Sequence, residues 1–175
     1  MLMHSKGKPG QRQLTDINNL LAESVNLAYH GMRPKEPTLK IKIDTHYDNN
    51  IPEIDLVTQD ISRVFLNAIN NACYAVHEKS KSYQQNFTPN LIISTKAKNE
   101  EIEITIRDNG QGISQTIIDK VFNPFFTTKL TGQGTCLGLS ISHDIIVQGH
   151  QGQILRDSEE NAYTELKIIL PLYNR

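Results

Sequence analysis

The sequence predicts an α+β fold, a two-layer α/β sandwich in which three main helices cover a mixed, largely antiparallel sheet. Three observations carry that prediction. Residues 58–79 hold one apolar stripe at helical spacing, made of Ile61, Val64, Phe65, Ala68, Ile69, Ala72 and Val76. Two strand-like runs, 91–97 and 102–107, stand either side of Lys98-Asn99-Glu100-Glu101 and read as a hairpin. Two further helical patterns and several further strand patterns account for most of the remaining chain.

Bulk properties narrow the class. The 175 residues suit one domain of ordinary size with enough chain for a core. A formal net charge of -1 suggests neither a nucleic-acid surface nor an acidic tail. Cys73 and Cys136 lack Cys-x-x-Cys spacing and suit a reducing compartment. No apolar run is long enough to span a bilayer, and residues 1–10 do not form a signal peptide. A cytoplasmic domain is expected, which could still be a piece of a longer membrane protein.

Residues 4–13 are polar, rich in Gly, Lys and Pro, and without apolar period; a linker is expected over 1–14 and the domain over 15–175. Thr15 or Asp16 caps a first helix that carries Ile17, Leu20, Leu21, Ser24, Val25 and Ala28, and Gly31 and Pro34 end it. Strict alternation over 39–43 reads as a strand with one wet face, and 48–52 as a turn. After the long helix, 79–90 is polar, contains Pro89 and reads as a loop. A short helical piece capped by Ser114 is expected over 114–121, a third main helix over 137–147, and closing strands over 153–156 and 163–170.

Chemistry concentrates at Asp108-Asn109-Gly110-Gln111-Gly112-Ile113, where a strand ends. A carboxylate at a strand exit can accept a buried hydrogen bond from a ligand amino group, and the glycines let backbone approach a ligand closely. Alone this is an ordinary turn. Two neighbours add weight. Asn67 and Asn71 lie one turn apart at the border of the long helix's stripe, half-buried, while Asn70 points further toward solvent. Two poor helix formers at such a border suggest a ligand. The stretch 122–135 has no regular periodicity, and a long loop in a compact domain is usually functional.

Together these residues resemble the catalytic, ATP-binding domain of sensor histidine kinases, of the Bergerat-type superfamily shared with gyrase, the heat-shock chaperone ATPases and MutL. The resemblance spans residues 16–171 and rests on four ordered segments. Asn67-Ala68-Ile69-Asn70-Asn71-Ala72 looks like the Asn box and Asp108-Asn109-Gly110-Gln111-Gly112 like the first glycine box. Phe122-Asn123-Pro124-Phe125-Phe126-Thr127-Thr128-Lys129 looks like the Phe box, and Gly132-Gln133-Gly134-Thr135-Cys136-Leu137-Gly138-Leu139 like the second glycine box.

The resemblance implies roles. Asp108 accepts the adenine amino hydrogen, supported by Thr164, while Gly110 and Gly112 leave room for the base and its water, with Ile113 beside them. Asn71 holds Mg²⁺ through its amide oxygen, and Asn67 lies along the same face. Gly134, Thr135, Leu137, Gly138 and Leu139 precede or open a helix whose backbone N–H groups cradle phosphates. Lys129 meets phosphate charge from the lid, where Phe126 and Thr128 also lie; Phe122, Phe125 and Phe126 anchor that lid. The implied catalytic set is Asn67, Asn71 and Lys129. Lys79, Lys81, Lys96 and Lys98 read as an ordinary wet face.

None of the six histidines has the context of the family's phosphoacceptor. His77-Glu78 and His143-Asp144 have the acidic follower but lack the later proline, and the other four fit no better. The acceptor is therefore expected on an upstream dimerisation helix pair, with residues 1–10 resembling the linker that leaves it. The implied partners are that domain and the receiver domain of a response regulator, besides ATP. Hydrolysing relatives carry a Glu where this chain has Asn67, which has no useful basicity, so steady hydrolysis is disfavoured. A protein-serine kinase using the same boxes is the second enzymatic reading. The non-enzymatic alternative is a degenerate nucleotide-binding or docking module. Cys136, Tyr163, Leu166 and Gln151 depart from the family pattern and favour it, Cys136 and Gln151 standing where glycine is usual.

Overall fold

The computed structural model describes residues 10–32, 34, 37, 38, 40–82, 86–116 and 138–173. In chain order its elements are β1 (Gln13–Thr15), α1 (Ile17–Met32), β2 (Lys42–His46), β3 (Ile54–Leu56), α2 (Thr58–Ser82), β4 (Asn90–Lys98) and β5 (Glu101–Asp108). There follow α3 (Gly138–His143), which runs on as a π-helical segment (Asp144–Gly149), and then β6 (Gln153–Glu159) and β7 (Tyr163–Pro171). Five strands form one sheet in the order β2-β4-β5-β7-β6, with β2 parallel to β4 and every other pair antiparallel. Helices pack on this sheet, α2 centrally over β5 with α1 and α3 against it. The α+β sandwich and its mixed, largely antiparallel sheet are as the sequence predicts.

Burial follows the apolar pattern. The residues of α1 that face inward are those of the predicted stripe, and α2 adds Cys73 to its own. They meet Leu91, Ile93, Ile102, Ile104, Ile106, Leu166, Ile168 and Leu170, which alternate along the three central strands. The α1 cap is Asp16, whose Oδ1 accepts the Asn19 N–H at 3.1 Å, rather than Thr15. Thr15 is buried instead and hydrogen-bonds the Thr58 hydroxyl at 2.8 Å.

Several boundaries differ from expectation. Gln13 and Leu14, placed in the linker by composition, pair with Leu56 and Asp55 in a small sheet of β1 and β3. The strand expected over 39–43 runs over Lys42–His46, where its ladder follows Asn90–Ser94 and the Lys42 N–H bonds Pro89 O at 2.9 Å. Helix α2 continues three residues past Lys79. Strand β6 runs on to Glu159 because the ladder with β7 persists to the turn. In the third helix, α-helical geometry holds only to His143; beyond it the chain is wound more loosely, to Gly149. Of the helix expected over 114–121, residues 115–116 form a turn, the Ser114 hydroxyl pairs with that of Thr116 rather than with a backbone N–H, and residues 117–121 lie outside the described residues.

Candidate functional site

Asp108 ends β5 on the inner face of the sheet, 5% exposed. Its hydrogen bond among the described residues is from the Gly110 N–H to Oδ1 at 2.8 Å. A carboxylate has about four acceptor positions, so acceptor capacity remains. Burial pushes its pKa up to about 7, against the Gly110 bond and the charges of Arg156, Lys79 and Arg107, which pull it down. Thr164 is its cross-strand neighbour on β7, and Thr164 in turn lies opposite Ser158 on β6. The Ser158 and Thr164 hydroxyls are 2.9 Å apart, and Ser158 Oγ accepts the Ile113 N–H at 2.7 Å. One rung of the sheet therefore supplies a buried carboxylate, two linked hydroxyls and a tie to the loop that follows Asp108.

Both glycines are pressed against backbone from other elements. A Cβ at Gly110 would sit 2.6 Å from the carbonyl carbon of Ala75 on α2. Gly112 has φ +69°, and a Cβ there would overlap the Glu159 carbonyl oxygen. Beside each lies protein, and each glycine lets the loop seat against α2 or the β6–β7 turn. Asn109 secures the same loop, its Oδ1 accepting the Asn90 N–H at 2.9 Å and its Nδ2 donating to Thr88 O at 2.9 Å.

Asn67 and Asn71 are half-buried and Asn70 is exposed, as the helical spacing predicts. At 1.5 Å rise per residue, Asn71 lies about 6 Å and Asn67 about 12 Å along α2 from the Ala75–Gly110 contact. They thus form a row that leaves the Asp108 corner. Gly138 opens α3 and Leu139 follows it, half-buried, with α3 against α2. Phe126, Thr128, Lys129, Gly134, Thr135 and Leu137 lie outside the described residues, as do Phe122, Phe125 and Cys136.

Three departures from the family pattern are accommodated. Tyr163 points to the outer face of the sheet, where the Arg107 guanidinium stands 4.0 Å over its ring and its hydroxyl donates to Asp157 at 2.8 Å. Leu166 is an ordinary buried residue. Gln151 has φ +54°, the left-handed conformation in which a glycine is at ease.

Lys79 is no solvated lysine. Its Nζ donates to Asn109 O at 3.1 Å and Asn161 O at 2.7 Å and lies 4.9 Å from the centre of the Phe87 ring. Arg156, also unanticipated, interrupts the inner face of β6 between Ile154 and Ser158, and burial lowers its pKa to about 10 against the charge of Asp108. That break in the alternation was a readable signal. Cys73 is buried near Asp108; burial and that carboxylate push its thiol up to about 12, which makes it unreactive. His150 is structural: Nε2 accepts the Val57 N–H at 3.1 Å, so the ring proton sits on Nδ1 and is donated to Ile145 O at 2.8 Å. Among the described residues no three His, Cys, Asp or Glu side chains gather in a metal-binding group. No helix among them is long and apolar enough to cross a membrane.

Residues 57–174 match the family described as Histidine kinase-, DNA gyrase B-, and HSP90-like ATPase, and the chain belongs to that family. Within it, the resemblance is to sensor histidine kinases. The chain is 30% identical over 178 aligned positions to the sensory histidine kinase/phosphatase NtrB of Rhizobium meliloti, covering 98% of this chain and 44% of that protein. It is 29% identical to the sensor protein FixL of Bradyrhizobium diazoefficiens, over 92% of this chain and 29% of the relative. The catalytic domain of the histidine kinase ThkA, in a nucleotide-free form, superposes with a TM-score of 0.75 at 25% identity, over 93% of this chain and 96% of that one. The chain spans less than half the length of these curated relatives. It has the fold and the relatives of their catalytic, ATP-binding part.

Proposed function

We propose that this domain binds ATP with Mg²⁺ and transfers the γ-phosphoryl group to a histidine on a separate dimerisation domain, from which a response-regulator receiver domain takes it. The observation that carries the nucleotide reading is Asp108, a buried carboxylate with acceptor capacity to spare at the end of a central strand. An exocyclic amino group is the donor such a carboxylate fits, and the Thr164–Ser158 pair beside it completes a polar floor. The Asn71 amide offers a hard oxygen donor, which suits a cation that takes few protein ligands, and Asn67 extends the row toward the phosphates. Gly134, Thr135, Leu137, Gly138 and Leu139 would present backbone N–H groups to phosphate, with Lys129 adding charge.

Bound Mg²⁺-ATP supplies an activated phosphorus whose transfer needs mainly alignment and charge neutralisation. The chain's own work is then to hold the base at Asp108, align the phosphates along α2 and exclude water. Asn67 cannot deprotonate water, which favours a histidine nucleophile, already reactive when neutral. The expected division, a linker over 1–14 and the domain over 15–175, and a position on the cytoplasmic side accord with this role, although Arg12 to Leu14 are already bonded into the folded part.

A protein-serine kinase is the second reading, and a silent nucleotide-binding or docking module the third. Tyr163, Leu166 and Gln151 give the third little support, since each is housed away from Asp108 or in ordinary packing. The test is transfer of labelled γ-phosphate from ATP to the dimerisation domain of a relative, with and without Asn71→Ala. Acid-labile label on the acceptor, lost in Asn71→Ala, is the expected result. Nucleotide binding without transfer to any histidine acceptor would remove the kinase reading.

A further inference from the structure

The loop that carries Asp108 is fastened by one cation, Lys79, and a second, Arg156, stands on the same inner face of the sheet as its carboxylate. From the helix layer comes Lys79. Its ammonium bridges Asn109 O (3.1 Å) and Asn161 O (2.7 Å), so it joins the loop after β5 to the β6–β7 turn and holds both against the last turns of α2. The same two loops are bonded directly, Asn161 N–H to Gln111 O, and Asn161 takes φ +64° to make that contact. From the sheet layer comes Arg156. In the ladder it lies opposite Leu166, which lies opposite Ile106, one inner-face step from the rung of Ser158, Thr164 and Asp108. A guanidinium on that inner face can reach across β7 toward the carboxylate, where low dielectric strengthens its field.

We propose that Lys79 and Arg156 are positioning residues for Asp108, Lys79 fixing the loop that presents it and both together keeping its carboxylate in the acceptor form that an adenine amino group needs. This rests on the nucleotide reading of the site and deepens it. Without such charges, a carboxyl this buried would hold its proton above neutral pH and one acceptor position would become a donor. Among the described residues, the charged or titratable groups that act on Asp108 are Cys73 and Lys79 from α2, Arg107 from the opposite face of its own strand and Arg156 from β6. Strand β7 brings the uncharged Thr164, and its Glu165 pairs outward with Arg107 at 3.7 Å. Arg107 is thereby partly neutralised and turned to the outer face, whereas Lys79 belongs to the helix layer and Arg156 to the inner face, the two sides between which the carboxylate lies.

The experiment is calorimetric titration with a Mg²⁺-loaded non-hydrolysable ATP analogue between pH 6 and pH 9. It compares the native chain with Arg156→Met, Arg156→Lys, Lys79→Met, Lys79→Arg and Asp108→Asn. The native affinity should rise with pH as Asp108 ionises and level off above neutrality. In Arg156→Met the midpoint should move about one pH unit upward, which weakens binding about fivefold at pH 7 and restores it at pH 9. Arg156→Lys should return the midpoint. Lys79→Met should show the same shift plus a deficit that persists at pH 9, because its loop bonds are gone, and Lys79→Arg should recover much of both. A uniform loss at all pH values in both Met variants would overturn the proposal, as would an unchanged native-like profile. Undiminished binding by Asp108→Asn would instead overturn the nucleotide reading on which it rests.

Discussion

Two buried titratable groups, Asp108 and His150, sit at different corners of this domain and are treated in opposite ways. His150 is satisfied on both ring nitrogens, accepting from Val57 and donating to Ile145 O, and Arg12 closes over the same corner by donating to Gly149 O at 2.7 Å. Burial holds its pKa down, so the neutral ring is the folded form. Asp108 is buried as deeply but receives one hydrogen bond among the described residues, and burial holds its pKa up. Burial of a polar residue is therefore not itself a sign of function. What separates the corners is hydrogen-bonding capacity, used up in one and held in reserve in the other.

The largest effect that would break or sharpen this contrast is that of Asp108→Asn. The folded pKa of Asp108, about 7, lies above its ordinary 3.8. Between those values the folded chain holds a proton that the unfolded chain has released, so stability falls as pH rises through that window and is flat above it. Asp108→Asn should thus be more stable than the native chain by about 2–4 kcal/mol at pH 8, with the gain vanishing near pH 4. Thermal unfolding across pH measures it, and a destabilised variant at pH 8 would break the comparison.

Gly110→Ala comes next. Its Cβ would press on the Ala75 backbone, which cannot yield without moving α2, so a loss of about 2–3 kcal/mol and weaker nucleotide binding are expected. Denaturant unfolding with a parallel binding titration checks both.

His150→Phe should cost about 2 kcal/mol by leaving the Val57 N–H unpaired and removing the ring's bond to Ile145 O, yet change nucleotide affinity little. Its pH signature runs opposite to that of Asp108. The folded pKa lies below 6.5, so the native advantage is complete above 6.5 and declines as pH falls below it. Comparing melting temperatures of native and variant chains from pH 5 to 8 reads this out.

The smallest effect is Gln151→Gly. Relief of the left-handed φ of +54° should outweigh glycine's entropy cost and stabilise by about 0.5 kcal/mol, with nucleotide affinity unchanged. Equilibrium unfolding detects it; a loss of stability would mean that the Gln151 bond to Gln148 O outweighs the strain.

Much of this molecule was legible in its sequence, for a physical reason. The stripes of α1 and α2 and the hairpin of β4 and β5 are periodic, and periodicity is local information. Asp108 was legible because it ends a regular strand, and Asn67 and Asn71 because helical geometry fixes where they stand relative to the stripe. What escaped is non-local. Lys79 bonds the carbonyl oxygens of Asn109 and Asn161, which no period connects to it. Strand β1 has no apolar pattern of its own and exists because β3 offers an edge. The glycines were recognised, but their packing was not legible, since the backbone they approach comes from α2 and from the β6–β7 turn.

The central claim is that Asp108 keeps its acceptor capacity for a nucleotide base. Calorimetric titration of the native chain and of Asp108→Asn with a Mg²⁺-loaded non-hydrolysable ATP analogue at pH 8 tests it most directly. Measurable binding by the native chain, weakened about 100-fold or more in a variant that is folded and more stable, is the predicted result. Equal binding by both chains, or none by the native one, would contradict it.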